Sequence, residues 1–404
     1  MIVEYNPLHR GHLHLLEAVR EALGRDTAFV AVMSGGAVQR GEFALAGRLA
    51  RARAAVESGV DLVLELPVPW AAASAERFAD GGVQALLGTG LVTHLAFGSE
   101  SGDAGALERL ARTLCDSRFP ALLKEELAEG DSFAAARQRA VGRLAGPALA
   151  ALLAKPNDLL GVEYHKALLR RRGNLEVLAV PRSGAAHDAK SAPPGEYPSS
   201  SAIRALLRAG RRGEALALMA PAMARSYEEE ERAGRAPVFP ENSERAVLSR
   251  LRSMTLEDFA ALDQGGEGLY RRLYAAAREG RTVAEVLETA KTRRYSHARL
   301  RRMVLWAYLG MTPKEQPDRV PYLRVLGASG TGRALLRRME GSGGLPGTAS
   351  IPVLTKPAHI RSLGPEARAV WALEERCADL YALAYPALDA ARGGGIWREG
   401  PVML

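Results

Sequence analysis

Asn6-Pro7-Leu8-His9-Arg10-Gly11-His12 follows a short apolar stretch at residues 2–5 and opens a helical pattern over residues 11–23. A strand that runs through a glycine into a helix makes a specific local site. Gly11 lets the backbone come close to a ligand. The helix start offers N–H groups without intrahelical partners and the positive end of a dipole, which together suit an anion. His9 and His12 are three residues apart and face one point. Two imidazole donors there fit a phosphate chain that gains charge in a transition state. The blander reading is a loop with two surface histidines. Against it, the chain has only 8 histidines, and His9, His12 and His14 crowd this one turn. A zinc pair is disfavoured, since HEXXH spacing is absent and no cysteine or carboxylate cluster completes a set, so no metal site is assigned.

Outward from this turn, apolar runs alternate with helical patterns. Residues 27–33 (TAFVAVM), 61–66 (DLVLEL) and 92–97 (VTHLAF) read as strands, with helices at 45–57 and 75–87 between them. Strand–helix alternation predicts βαβ units, hence an α/β fold with a Rossmann-like, doubly wound parallel sheet. Residues 105–170 read as a helical insert, and a further strand is expected at 175–180 (LEVLAV). These elements define a first domain over residues 1–225. An acidic run followed by a Gly/Pro stretch makes 226–240 the expected linker, with the acids of 228–231 on a solvated face. Residues 241–404 then read as a mainly helical, basic C-terminal domain with short β segments at 322–326 and 351–354 and a last helix at 365–391.

Composition sets the outer limits. Of 404 residues, 47% are hydrophobic and 25% charged, an ordinary globular balance that excludes a disordered or collagen-like chain. No window approaches 18 consecutive apolar residues, so no membrane span is expected. The start has no basic leader before an apolar run. Two cysteines, Cys115 and Cys377, cannot build a disulfide framework and suit a reducing, cytoplasmic location. The net charge of +8 invites a nucleic-acid reading, but only seven of the 54 basic residues are lysine, which points to a genome-wide arginine bias. Clustering therefore carries more weight than net charge.

A second motif, Ser199-Ser200-Ser201-Ala202-Ile203-Arg204, opens a later helix. Hydroxyls at a helix start with an arginine one turn in suit the β and γ phosphates of a nucleotide. Alone it is an ordinary capped helix. Paired with the first motif it resembles the second signature of the HIGH-motif nucleotidyltransferase superfamily. No KMSKS-like segment appears, which argues against an aminoacyl-tRNA synthetase. MSGGAVQRGE (33–42), DLVLELP (61–67), FGSE (97–100), KPNDLLGVEY (155–164) and RSGAAHD (182–188) stand in one order with these motifs. Over roughly residues 1–310 the chain resembles the bacterial tRNA(Met) cytidine acetate ligases.

That resemblance implies a sheet of the nucleotidyltransferase type and a reaction. ATP activates acetate as acetyl-adenylate, releasing pyrophosphate, and the acetyl group passes to N4 of the wobble cytidine of elongator tRNA(Met). It implies ATP contacts at Ile2, Val3, Glu4, Tyr5, Asn6, Pro7, Leu8, His9, Arg10, Gly11, His12, Leu13, His14 and Leu15, and at Gly98, Asn157 and Arg182. His9, His12 and Arg204 take the catalytic roles, Ser200 and Ser201 help hold the leaving pyrophosphate, and Mg²⁺ neutralises the triphosphate. Two departures stand out: relatives start with a fuller first strand, and Arg48 stands where they carry a lysine.

The segment 291–302 (KTRRYSHARLRR) has no acid. Lys291, Arg293, Arg294, Arg301 and Arg302 on one helix face suit RNA phosphates, and Tyr295 suits stacking on a base. The competing readings are a solvated face in an arginine-rich chain, a small-molecule adenylyltransferase of the same superfamily, and a non-catalytic RNA-binding protein. Chain length and this segment disfavour the second reading. The intact histidine and serine motifs disfavour the third.

Overall fold

VAVMS and LVLEL become neighbouring parallel strands, Val30–Ser34 and Leu62–Leu66. Ile2–Val3 joins the other edge of Val30–Ser34, with Ile2 opposite Val32. The structure, a computed structural model, describes the whole chain except residues 130–131, 183–196, 263–267, 293–294 and 342–345.

Side chains alternate across a strand, and here the alternation sorts residues into two cores. Val32, Leu62, Leu64 and Leu66 pack with Phe78, Val83 and Leu86 of the helix Ala75–Gly88. Ala31, Met33 and Val63 pack on the other face with Leu16 and Val19 of the helix Arg10–Leu23 and with Ala52 and Ala55 of Arg48–Glu57. Strands apolar on both faces and covered by helices on both are the doubly wound α/β arrangement that the strand–helix alternation predicts.

The sheet is mixed, however, and the last third of the chain completes it. Leu323–Ala328 enters antiparallel to Leu62–Leu66, and Val402–Met403 and Val353–Leu354 then pair with it in parallel. Every residue of Leu323–Ala328 is buried, Arg324 through its pairing with Glu65, and a strand buried on both faces belongs inside a sheet rather than in a helical domain. The fourth expected strand, His94–Ser99, pairs in parallel with Glu176–Pro181 as a separate two-stranded sheet. Between them lies the helical insert, including Ala104–Leu114, Phe119–Ala128 and Phe133–Ala145.

The expected linker is partly structured. Residues 226–232 complete the helix Pro221–Arg232, in which Ser226 and Tyr227 are buried. Of its acids, Glu228 and Glu231 lie on the expected solvated face and pair with Arg212, whereas Glu230 is largely covered and pairs with Arg235. After it, helices including Glu244–Ser253, Leu269–Glu279, Val283–Ala290 and His297–Leu309 enclose their own core around Leu251, Phe259, Leu273 and Trp306. The last long helix is Pro365–Ala382, shorter than expected. Among the described residues no helix is long and apolar enough to cross a membrane.

Candidate functional site

A cavity of about 200 Å³ opens at the carboxyl ends of Ile2–Val3, His94–Ser99 and Glu176–Pro181. Ligands of open α/β sheets bind at such strand ends. Its lining brings together Ile2, Val3, Glu4, Tyr5, Asn6, His9, Gly11, His12, His14, Leu15, Gly98, Asn157, Arg182, Ser200, Ser201 and Arg204. Pro7, Leu8, Arg10 and Leu13 do not line it: Leu8 is buried in the core and Arg10 is exposed.

The first motif fastens itself. The Gly11 N–H donates to His9 Nδ1 at 3.1 Å, and the His9 N–H donates to His12 Nδ1 at 3.1 Å. This reciprocal pair caps the helix with imidazoles where serine and glutamate usually serve. A ring nitrogen that accepts from a backbone N–H carries no hydrogen, so both rings hold theirs on Nε2. The rings lie 3.9 Å apart between centroids. Gly11 keeps this turn close, since a Cβ would press on His9 Cε1 at 3.0 Å and Tyr197 Cβ at 3.3 Å. Just before the motif, Tyr5 turns the chain at φ +48°. Such a left-handed bulky residue persists only where its surroundings hold it. They do so here: Asn6 Oδ1 accepts from the Leu45 N–H at 2.7 Å, and the fully buried Arg51 donates to the Glu4 carbonyl at 2.7 Å and the Ser34 carbonyl at 3.0 Å. Burial lowers the pKa of Arg51 to about 10.

The second motif locks onto the first. Ser199 caps Ser200–Arg208 by accepting from the Ala202 N–H at 3.0 Å. Ser200 Oγ donates to the Pro7 carbonyl at 3.2 Å, and Arg204 Nη1 to the Asn6 carbonyl at 2.7 Å. Burial pulls the Arg204 and Arg182 guanidiniums below the ordinary arginine range. Cations withdrawn from water are stabilised by an anion arriving beside them.

At another part of the cleft, Gly98 leaves room for Arg182, whose Cγ would be 3.2 Å from an added Cβ. Asn157 Nδ2 donates to Glu100 Oε1 at 2.6 Å, and Glu100 also accepts the N–H groups of Asn157 and Asp158 at 3.1 and 2.8 Å. Glu100 thus caps Pro156–Arg171 from outside the helix, which explains why FGSE and KPND occur together. Phe78, Phe97, Leu160 and Tyr164 give the cleft an apolar lining suited to a flat ring. Of RSGAAHD, residues 183–188 lie outside the described residues.

One wall of the cleft is absent from the expected site residues. The hairpin of Ala37–Val38 and Glu42–Phe43 puts Val38, Gln39, Arg40 and Glu42 on the cleft. MSGGAVQRGE is visible as a motif, but nothing local to it shows that its tip reaches the strand ends.

Two histidine-capped and serine-capped helix starts facing one cleft are what the superfamily's two signatures describe, and a profile of the HIGH Nucleotidyl Transferase family matches residues 1–394. The chain belongs to that family. Within it, the chain is 35% identical over 399 residues to the tRNA(Met) cytidine acetate ligase of Acetivibrio thermocellus, covering 95% of this chain and 94% of that protein. It is 33% identical over 416 residues to the protein of the same name from Thermotoga maritima, covering 100% and 99%. The crystal structure of Thermotoga maritima TmcAL in its apo form superposes with a TM-score of 0.94 at 32% identity, covering 100% of this chain and 98% of that one. The same protein bound with alpha-thio ATP superposes with a TM-score of 0.91 over the same shares.

In this nucleotidyltransferase the basic segment differs from its expected form. The helix starts at His297, capped by Ser296, so Arg293 and Arg294 precede it and lie outside the described residues. Tyr295, expected to stack on a base, is buried in the helical core. Arg302 points inward, and its Nη1 donates to the Gln39 carbonyl at 3.3 Å. Lys291 and Arg301 are exposed. The alternation of charges in sequence could not separate Arg301 from Arg302, because their directions depend on the distant hairpin. Arg48 is likewise buried, in an ion-pair cluster with Glu65 and Glu399 rather than on the cleft.

Proposed function

We propose that this chain is an ATP-dependent tRNA(Met) cytidine acetate ligase. The observation that carries the proposal is the convergence of His9, His12, Ser200 and Arg204 on one strand-end cleft, in a chain alike over its whole length to proteins of that name. ATP lies along the two helix starts, with its base against Phe97, Tyr164 and Arg182. Nε2 of His9 and His12 donates to the triphosphate, and Arg204 with the Ser200 and Ser201 hydroxyls holds the pyrophosphate as it leaves.

The acetate carboxylate attacks the α-phosphorus, the bond to the β-phosphate oxygen breaks, and acetyl-adenylate forms. No protein nucleophile is needed, so catalysis is positioning and charge stabilisation. Mg²⁺ enters with ATP as its substrate complex. The cleft shields acetyl-adenylate from water until the cytidine arrives. An anticodon-loop base is already splayed for entry. Lys291 and Arg301 contact tRNA phosphates, and the enzyme works in the cytoplasm, where acetate, ATP and tRNA meet.

The test is a set of parallel reactions containing tRNA(Met) with labelled acetate plus ATP, labelled acetyl-CoA alone, or labelled amino acids plus ATP. Label is expected on cytidine, with pyrophosphate released, only in the first. Label from acetyl-CoA without ATP, or none from acetate with ATP, overturns the reading.

A further inference from the structure

Two carboxylates stand on the wall of a cleft that suits a polyanion. Glu4 follows the strand Ile2–Val3, and its Oε1 accepts from the Gln39 N–H at 2.7 Å. Glu42, on the hairpin, lies 3.2 Å from Arg204 Nη2. Both line the cavity. A carboxylate repels a triphosphate, so neither is explained by ATP alone. The hairpin that brings them together is also seated on the helix His297–Leu309. A Cβ at Gly41 would lie 2.3 Å from the Arg302 nitrogen, and Arg302 grips the Gln39 carbonyl. The acidic wall is therefore the part of the cleft joined to the helical half of the chain, the half that bears the basic segment.

The second half-reaction needs such a wall. The N4 lone pair of cytosine is delocalised into the ring, so N4 attacks a carbonyl effectively only as its proton is removed. The same amine is a hydrogen-bond donor, the group a carboxylate recognises in cytosine. We infer that Glu4 and Glu42 receive the N4 amine of the incoming cytidine, Glu42 by accepting one N–H and Glu4 by taking the proton of the other. The bond from N4 to the acetyl carbon forms, the bond from that carbon to the adenylate oxygen breaks, AMP leaves with its electron pair, and the N4 proton passes to Glu4.

The division of roles follows from the surroundings. Arg204 stands beside Glu42 as its counter-charge, which suits an acceptor. Burial raises the Glu4 pKa, opposed by the Gln39 N–H and by the charges of Arg204 and Arg40, which makes Glu4 a stronger base than an ordinary carboxylate. The ionisable groups facing Glu4 are Arg40 and Glu42 on the hairpin, Arg204, Arg51 and Tyr164.

This inference rests on the ligase reading, and its test separates the two. The quantity measured is the single-turnover rate of acetyl transfer from preformed acetyl-adenylate to tRNA(Met), divided by the rate of acetate-dependent ATP–pyrophosphate exchange, a ratio that cancels any loss of folded enzyme. Glu4→Gln is expected to lower it about 10²-fold, the lower end of a general-base contribution. Glu42→Gln should lower it about tenfold. Glu4→Asp should restore part of the loss. In wild type the transfer rate should rise with pH as Glu4 ionises, and in Glu4→Gln it should be flat. If a variant shows no exchange, the transfer rate is read directly. A wild-type ratio in both variants overturns the inference, as does a changed Mg²⁺ dependence with an unchanged ratio, which would make the pair a metal site. Absence of acetate-dependent pyrophosphate release by wild type instead overturns the ligase reading.

Discussion

The cleft and the buried charge cluster near its hairpin are built from the same residue types, and they differ in how their charges are closed. In the cluster, Glu65 meets Arg324 at 2.9 Å and Arg48 at 3.8 Å, and Glu399 pairs with Arg48 and lies 3.9 Å from Arg324. Glu374 accepts from the Val68 N–H in the same region. Its members come from a central strand, the first half's helix Arg48–Glu57, the late strand Leu323–Ala328, the helix Pro365–Ala382 and the tail. Glu65, Arg48 and Arg324 direct their charges at one another and fix how distant parts of the chain meet, although Arg48, Arg324 and Glu399 also border cavities of their own. In the cleft, Arg182, Arg204, Glu4 and Glu42 gather at the strand ends beside two helix starts. Opposite charges drawn from distant elements serve architecture, while charges gathered at helix starts suit an anionic ligand.

The sharpest way to break this distinction is to remove one member from each region. Arg324→Ala leaves Glu65 buried at 1% exposure without its nearest cation. Removing one partner of a buried pair costs about 3–5 kcal/mol. Arg204→Ala removes the hydrogen bond to the Asn6 carbonyl and the partner of Glu42, but Glu42 lines the cavity and keeps access to water, so the loss should be smaller. Urea denaturation of the two variants makes the comparison, and equal losses would abolish it.

Activity should divide the other way. His12→Ala is expected to keep the fold and cut acetate-dependent ATP–pyrophosphate exchange by about 10²–10³, the usual loss for one transition-state donor. Near-normal exchange would remove His12 from the triphosphate site.

This division also explains what is legible in the sequence. The motif of residues 6–12 encodes its helix cap locally, since His9, Gly11 and His12 bond to one another, while its seat in the fold comes from Leu45, Ser200 and Arg204. The two-faced burial of VAVMS and LVLEL likewise follows from their own residues. The serine motif is readable as a helix start, although its attachment to Pro7 and Asn6 is not. What stays hidden depends on contacts far apart in sequence. Leu323–Ala328 reads as a short apolar run and becomes a central antiparallel strand because Leu62–Leu66 has an open edge for it. Glu42 meets Arg204, and Arg302 meets Gln39, through packing that no spacing rule anticipates.

The two neighbouring arginines of the basic helix sharpen the point further. Arg301 is exposed, whereas Arg302 braces the hairpin. Arg301→Ala and Lys291→Ala should each weaken tRNA binding and make its salt dependence shallower, by about 0.9 or less in slope for every phosphate no longer neutralised. Arg302→Ala should lower acetyl transfer to tRNA more than pyrophosphate exchange, because it loosens the wall that carries Glu42. Binding titrations across salt concentrations, run beside transfer and exchange assays, test both. An identical pattern for Arg301 and Arg302 would show that the hairpin is held by other contacts.

The last test lies within the cluster and is read as a slope with pH. Glu374 is buried, and its pKa is raised to about 8, first by burial and then by the neighbouring Glu65, against the lowering effect of the Val68 N–H, Arg48 and Arg324. In the unfolded chain the same carboxyl ionises near about 4.3. Between these values the folded protein keeps a proton that the unfolded chain releases. The contribution of Glu374 to stability is therefore largest below about pH 4.3, declines as pH rises toward about 8, and is constant above that. Glu374→Gln keeps an oxygen to accept from the Val68 N–H and cannot ionise. Between about pH 5 and 8 its unfolding free energy should fall less steeply than that of the wild-type protein, with the two profiles closest at the acidic end. Parallel profiles across this range would mean that Glu374 keeps its charge inside the cluster and that Arg48 and Arg324 face three carboxylates rather than two.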